Sequence, residues 1–173
     1  MGKAVRLSHV GLRGEARMVD VGPKPLARRR AVAEGRVRFG RQAFRLLEEN
    51  RLAKGDALGV ARLAGIQAAK RTAEWIPLCH PIPLEHVEVD IGLDPRRNEA
   101  TVTASAAARW RTGVEMEALV AVAAACLALY DMAKAADPGI TIADVRLKEK
   151  SGGRSGPWRR DRPDARGRKG AKA

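Results

Sequence analysis

The chain has 173 residues, 45% of them hydrophobic and only 3% aromatic, with a mean hydropathy of −0.30. That is the length of one domain with enough apolar material for a core, which excludes a disordered chain and a membrane-embedded one; the shortage of aromatics also argues against nucleic-acid binding through stacked rings. The net charge of +13 sits on the flanks, since residues 46–156 carry fourteen basic and fifteen acidic side chains, a pattern that suits a small anionic ligand better than a duplex-binding face.

Taken in chain order, residues 1–25 have no sustained period and are punctuated by glycine and proline, so they read as a mobile segment. They also lack the apolar stretch of a signal peptide. Residues 28–35 alternate weakly, as a strand would, and the apolar spacing from Phe39 to Asn50 predicts a helix. Asp56 is placed to cap a second helix running to Trp75, just before Pro77. Pro77, Pro81 and Pro83 make the next segment a stiff, irregular turn. Val87–Leu93 and Ala100–Ala106 alternate apolar with polar around Asp94–Asn98, the pattern of a hairpin with one covered face.

From Gly113 to Asp137 a long helix is expected whose middle is apolar on every side, which suggests that a second subunit covers its far face. A last strand over 140–148 leads into the glycine-rich run 150–156, and the basic residues 157–173 read as a disordered tail. The order β-α-α-β-β-α-β predicts one α+β domain over 26–156, a ferredoxin-like antiparallel sheet backed by helices. Cys79 and Cys126 stand far apart with no CxxC, so the expectation is a reduced, cytoplasmic protein with neither disulfide nor zinc ribbon.

Several side chains could do chemistry. Asp131 and Lys134 are three apart on one helical face, at the end of a buried stretch. A surface ion pair and a desolvated proton-transfer pair both fit that spacing. Glu115 and Glu117 open the same helix, where a carboxylate meets unpaired N–H groups. Glu117 lies about 21 Å from Asp131 if the helix is straight, so one small site could use both ends only through a bend or a second subunit. His80, held between prolines beside Cys79, could be a positioned acid or base; His9 and His86 stay unassigned. Lys54, Lys70, Arg71, Lys150 and Arg28–Arg30 could together form a phosphate basin next to the glycine loop. No histidine–cysteine spacing suits a metal held by the protein.

Seven strings stand in order: MVDV at 18–21, KGD at 54–56, ARLAGIQAAKRT at 61–72, IPLCHP at 76–81, TGVEMEAL at 112–119, YDMAKA at 130–135 and KSGGRSG at 150–156. Over residues 18–156 the chain resembles the MoaC family of cyclic pyranopterin monophosphate synthases, which act early in molybdenum-cofactor biosynthesis. The resemblance implies an enzyme that takes a cyclised dihydro-GTP to a pyranopterin bearing a cyclic phosphate and releases pyrophosphate. It implies Asp131 as catalytic residue, with Lys134 and Lys54 and with His80 among the proton-transfer groups. Leu78, Cys79, His80, Met116 and Glu117, joined by Glu115, are expected to line the substrate pocket. Arg29, Lys70 and Lys150 are expected to hold the triphosphate. The resemblance further implies a homohexamer, a trimer of dimers, with sites at subunit interfaces. No cofactor of the protein's own is expected, although magnesium could arrive with the substrate. Arg154 replaces the family's usual Lys, and Ala27 its common Thr. Because the tail lies past the resemblance, removing 157–173 is expected to leave turnover near normal.

Overall fold

The computed structural model describes residues 15–153 and 156–160; His9, Arg154 and the chain past residue 160 lie outside the described residues. The elements are β1 (Ala27–Arg38), α1 (Arg41–Glu48), α2 (Ala57–Lys70), α3 (Thr72–Trp75), β2 (His86–Asp94), β3 (Glu99–Trp110), α4 (Glu115–Ala133), β4 (Thr141–Ser151) and β5 (Trp158–Arg159). All sheet pairings are antiparallel, in the order β2-β3-β1-β4-β5. The α+β expectation therefore holds, and the first four strands take the split β-α-β order.

The hairpin follows from its alternation, with Val87 opposite Ala106 and Ile91 opposite Val102. β1 is longer than its weak pattern suggested. It is paired on both sides along most of its length, and its inward residues are Ala31, Ala33 and Val37, small side chains with little contrast in a hydropathy reading. The second expected helix is broken at Arg71 into α2 and α3. There the buried Thr72 hydroxyl donates to the Ala69 carbonyl at 2.9 Å, and side-chain bonding of that kind competes with the helix's own ladder.

Alanine dominates the core, which lets the layers approach closely. At Gly65 on α2, an added Cβ would stand 2.9 Å from the Ala121 carbonyl of α4, so only glycine allows these helices to touch there. Helix α4 is long and apolar enough to cross a membrane by length and composition, but eleven of its residues are buried inside the protein, packed on α2 and the sheet. The remaining face is partly open, and Leu127 is 53% exposed on it.

Two expectations about the flanks need correction. Residues 15–25 are not free of the domain: the Val19 carbonyl accepts a hydrogen bond at 2.8 Å from His80 Nε2, which fastens this stretch across the proline-rich turn. Nor does regular structure stop at Pro157, because Trp158 and Arg159 pair with Lys150 and Glu149.

Candidate active site

Helix α4 carries functional side chains at both ends, and each end is completed by a different set of loops. At its N-terminus, Val114 supplies no side-chain cap, so the first turn keeps N–H groups and positive potential aimed at whatever lies before it. Leu78, Cys79 and His80 face this end from the proline-rich turn, which is tightened by a Cys79 N–H bond to the Ile76 carbonyl at 3.0 Å. Together with Val19, Val21, Lys24, Ile82, Thr112, Glu115, Met116 and Glu117 they line a cleft of about 350 Å³. Because a carbonyl only accepts, His80 Nε2 carries the proton of the Val19 bond, and Nδ1 of the neutral ring is left with its lone pair.

A second chamber of about 320 Å³ opens off this cleft, sharing Lys24, Thr112, Gly113 and Glu115 with it and adding Arg29, Arg30, Arg111 and Lys150. Arg29 is fixed by donating to the carbonyls of Trp110 and Arg111 at 3.3 and 3.4 Å. Lys150 donates to Glu115 Oε1 at 2.8 Å. Gly152, at φ +92°, lets the chain after β4 pass so near the Arg28 carbonyl that any side chain would collide with it. The result is an apolar and acidic cleft joined to a strongly cationic one, which matches a ligand with a ring system at one end and several phosphates at the other.

The electrostatics of the cleft are set by burial. Glu117 is 3% exposed; loss of solvent pushes its carboxyl up to about 7, against a hydrogen bond from its own backbone and with help from the nearby Glu115 charge. It therefore exchanges a proton near neutrality. Burial, and then the Glu117 charge, also raise the Cys79 thiol, which keeps it protonated.

At the other end of α4 the turn carrying Lys54, held in place because Asp56 caps α2 through the Gly59 N–H at 2.8 Å, meets the last helical turn. Lys54 Nζ donates to Asp131 Oδ2 at 2.6 Å and to its carbonyl at 3.0 Å, while Lys134 Nζ stands 2.8 Å from Oδ1. Hydrogen bonds from Lys134 and Lys54 pull the Asp131 carboxyl down to about 2, and the same pairing raises Lys134. This trio is an ionised, solvent-facing cluster.

The structure thus gathers Leu78, Cys79, His80, Glu115, Met116 and Glu117 in one cleft, with Arg29 and Lys150 in the adjoining chamber. It gathers Lys54, Asp131 and Lys134 in another place. Lys70 lines neither, but a neighbouring hollow with Arg71 and Pro81 that shares Ile82 and Glu117 with the cleft. The single basin expected from Lys54, Lys70, Arg71 and Lys150 is therefore not formed within one chain, because α4 is continuous over its 19 residues and keeps its ends apart. Sequence reasoning missed Lys24 and Arg111. Lys24 stood in a segment read as mobile, and Arg111 directly precedes the TGVEMEAL string that could have drawn attention to it. Among the described residues no three histidine, cysteine or carboxylate side chains converge as a metal site.

Residues 18–153 match the model of the MoaC family. The chain is 56% identical over 160 residues to the cyclic pyranopterin monophosphate synthase of Thermomicrobium roseum, a match covering 92% of this chain and 96% of the relative. It is 53% identical over 156 residues to the protein of the same name from Parvibaculum lavamentivorans, covering 90% and 98%. Molybdenum cofactor biosynthesis protein 1 of Bos taurus is 53% identical over 155 residues, or 90% of this chain and 24% of that longer protein.

Proposed function

The chain belongs to the MoaC family, and from that premise we propose that it is a cyclic pyranopterin monophosphate synthase of molybdenum-cofactor biosynthesis. Its substrate is a cyclised dihydro-GTP; the products are the pyranopterin with its cyclic phosphate and pyrophosphate. The observation that carries the reading is the joined pair of chambers at the start of α4, one able to take a purine-derived ring and the other its phosphates.

Lys24, Arg29, Arg111 and Lys150 neutralise the triphosphate, so that the α-phosphorus can be attacked by a substrate oxygen while the bond to the β-phosphate breaks. No metal held by the protein is needed for that, and magnesium carried on the phosphates is compatible with it. Ring opening and closure require proton transfers. Glu117, with a proton affinity near neutrality, and His80 Nδ1 are the groups in the cleft suited to them. Asp131 stays ionised and fixes two ammonium groups, making Lys54 and Lys134 a preformed donor pair.

Since one continuous helix holds Glu117 and Asp131 about 21 Å apart, we infer that a complete site joins the Asp131 cluster of one subunit to the cleft of another, within a homohexamer built as a trimer of dimers. The exposed Leu127, in line with Asp131 on α4, supports a subunit contact along this face. A cytoplasmic setting belongs to the same reading, as both cysteines are free thiols.

The test is pyrophosphate release from the cyclised dihydro-GTP by wild type and by Asp131→Ala. Release by the first, and loss from a mutant of unchanged secondary structure, supports the assignment. Absence of release by an assembled wild type overturns it.

A further inference from the structure

After the glycine loop the chain returns to the sheet and closes it. Arg159 lies opposite Glu149 and Trp158 opposite Lys150. The Arg160 N–H donates to the Lys148 carbonyl at 2.9 Å, and its Nε donates to the Leu147 carbonyl at 2.9 Å. Strand alternation gives the two pairs different faces. Lys150 is opposite the core residue Ala31 and reaches Glu115 on the helix side, so Trp158 is its neighbour on that side. On the other face, Glu149 Oε1 accepts from Arg30 at 2.7 Å and Oε2 stands 3.3 Å from Arg159.

Arg30 and Lys150 both border the cationic chamber. They also share a hollow of about 490 Å³ with Glu149, Pro157, Trp158 and Arg159. The Arg160 guanidinium lies 5.6 Å from the Trp158 ring centre, a cation–π arrangement that steadies the indole. Without this segment, β4 would be a free edge ending at Lys150-Ser151 and running directly into Gly152 and Gly153, both at positive φ. Strand ends of that kind fray.

We propose that Pro157–Arg160 is a clip for the phosphate chamber, in which Trp158 holds the Lys150 stem and Arg159, through Glu149, holds Arg30. Trp158 and Arg159 are positioning residues: they fasten the two cations, which then lose less freedom when phosphate binds. The proposal rests on reading the Arg29–Arg30–Lys150 chamber as the triphosphate site. It also reverses the expectation that everything from residue 157 onward is dispensable.

The experiment uses the full-length chain, with KM for the cyclised substrate and inhibition by inorganic tripolyphosphate as readouts. Trp158→Ala/Arg159→Ala is expected to raise both KM and the tripolyphosphate inhibition constant about tenfold, with kcat changed less than about twofold, from two cross-strand pairs lost together. Arg159→Lys in the wild-type background, which keeps the charge beside Glu149, is expected to stay within about twofold of wild type. Lys150→Ala tests the chamber itself. If it leaves tripolyphosphate inhibition unchanged, the chamber reading fails. If Lys150→Ala weakens inhibition while the double variant does not, the clip is overturned and the chamber stands. Should the double variant not assemble, Trp158→Ala alone decides: a rise of about three- to fivefold in both constants supports the clip, and unchanged constants overturn it.

Discussion

The two ends of α4 each hold an acid, and each acid behaves against the helix's own field. The positive N-terminus should favour an ionised carboxylate and the negative C-terminus should disfavour one. Yet Glu117 in the first turn is pushed up to about 7, and Asp131 in the last is pulled down to about 2. Burial outweighs the dipole at the first end, and two lysine ammonium groups outweigh it at the second. One end is a concealed group that exchanges protons near neutrality. The other is an exposed, permanently charged cluster. A reaction that needs proton shuttling and charge neutralisation has use for both, provided that subunits bring them together.

The largest expected effect comes from removing the charged end. Asp131→Asn leaves Lys54 and Lys134 without their shared anion, and pyrophosphate release is expected to fall about a thousandfold while circular dichroism is unchanged. Next is the core that fixes both ends. Leu129 is completely buried, so Leu129→Ala is expected to lower unfolding free energy by about 3 kcal/mol in urea titration.

The two acids separate by pH as well. Glu117 binds its proton more tightly folded than unfolded, so its contribution to stability is whole below about pH 4.5 and is lost as pH rises toward about 7, on the order of 3 kcal/mol. Glu117→Gln is expected to flatten that slope in chemical denaturation between pH 4.5 and 7.5. Asp131, with its lowered value, contributes above its ordinary range and loses that contribution as pH falls through about 2. A loss of stability between pH 4.5 and 7.5 that is insensitive to Glu117→Gln would break the contrast.

The smallest effect is at the join after α4. There Asp137 accepts from the Gly40 N–H at 2.6 Å and from the Gly139 N–H at 2.8 Å. Asp137→Ala is expected to cost about 1 kcal/mol without altering KM.

Much of this was legible in the sequence. The hairpin announced itself by strict alternation, α4 by a long apolar run between Gly113 and Pro138, and Asp131 and Lys134 by a spacing that survives any tertiary context. The Lys54–Asp131 contact was not derivable from spacing, because 77 residues separate the partners and only packing of α2 on α4 brings them together. At the break the Thr72 hydroxyl bonds the Ala69 carbonyl, a local contact that apolar spacing does not encode. β5 is two residues long and carries no pattern, so its pairing with Glu149 and Lys150 is purely tertiary. The stretch around Val19 looked irregular because it is irregular, and the bond from His80 helps to fasten it. The physical reason that the site divided in two was visible all along, in the length of one uninterrupted helix.

The most direct test of a site shared between subunits mixes two variants, Asp131→Ala and Glu117→Gln, each expected to release little pyrophosphate alone. Co-assembled, some interfaces would pair an intact cleft with an intact lysine–aspartate cluster. The account predicts release well above the sum of the separate activities. Release equal to that sum, in demonstrably mixed assemblies, would contradict it.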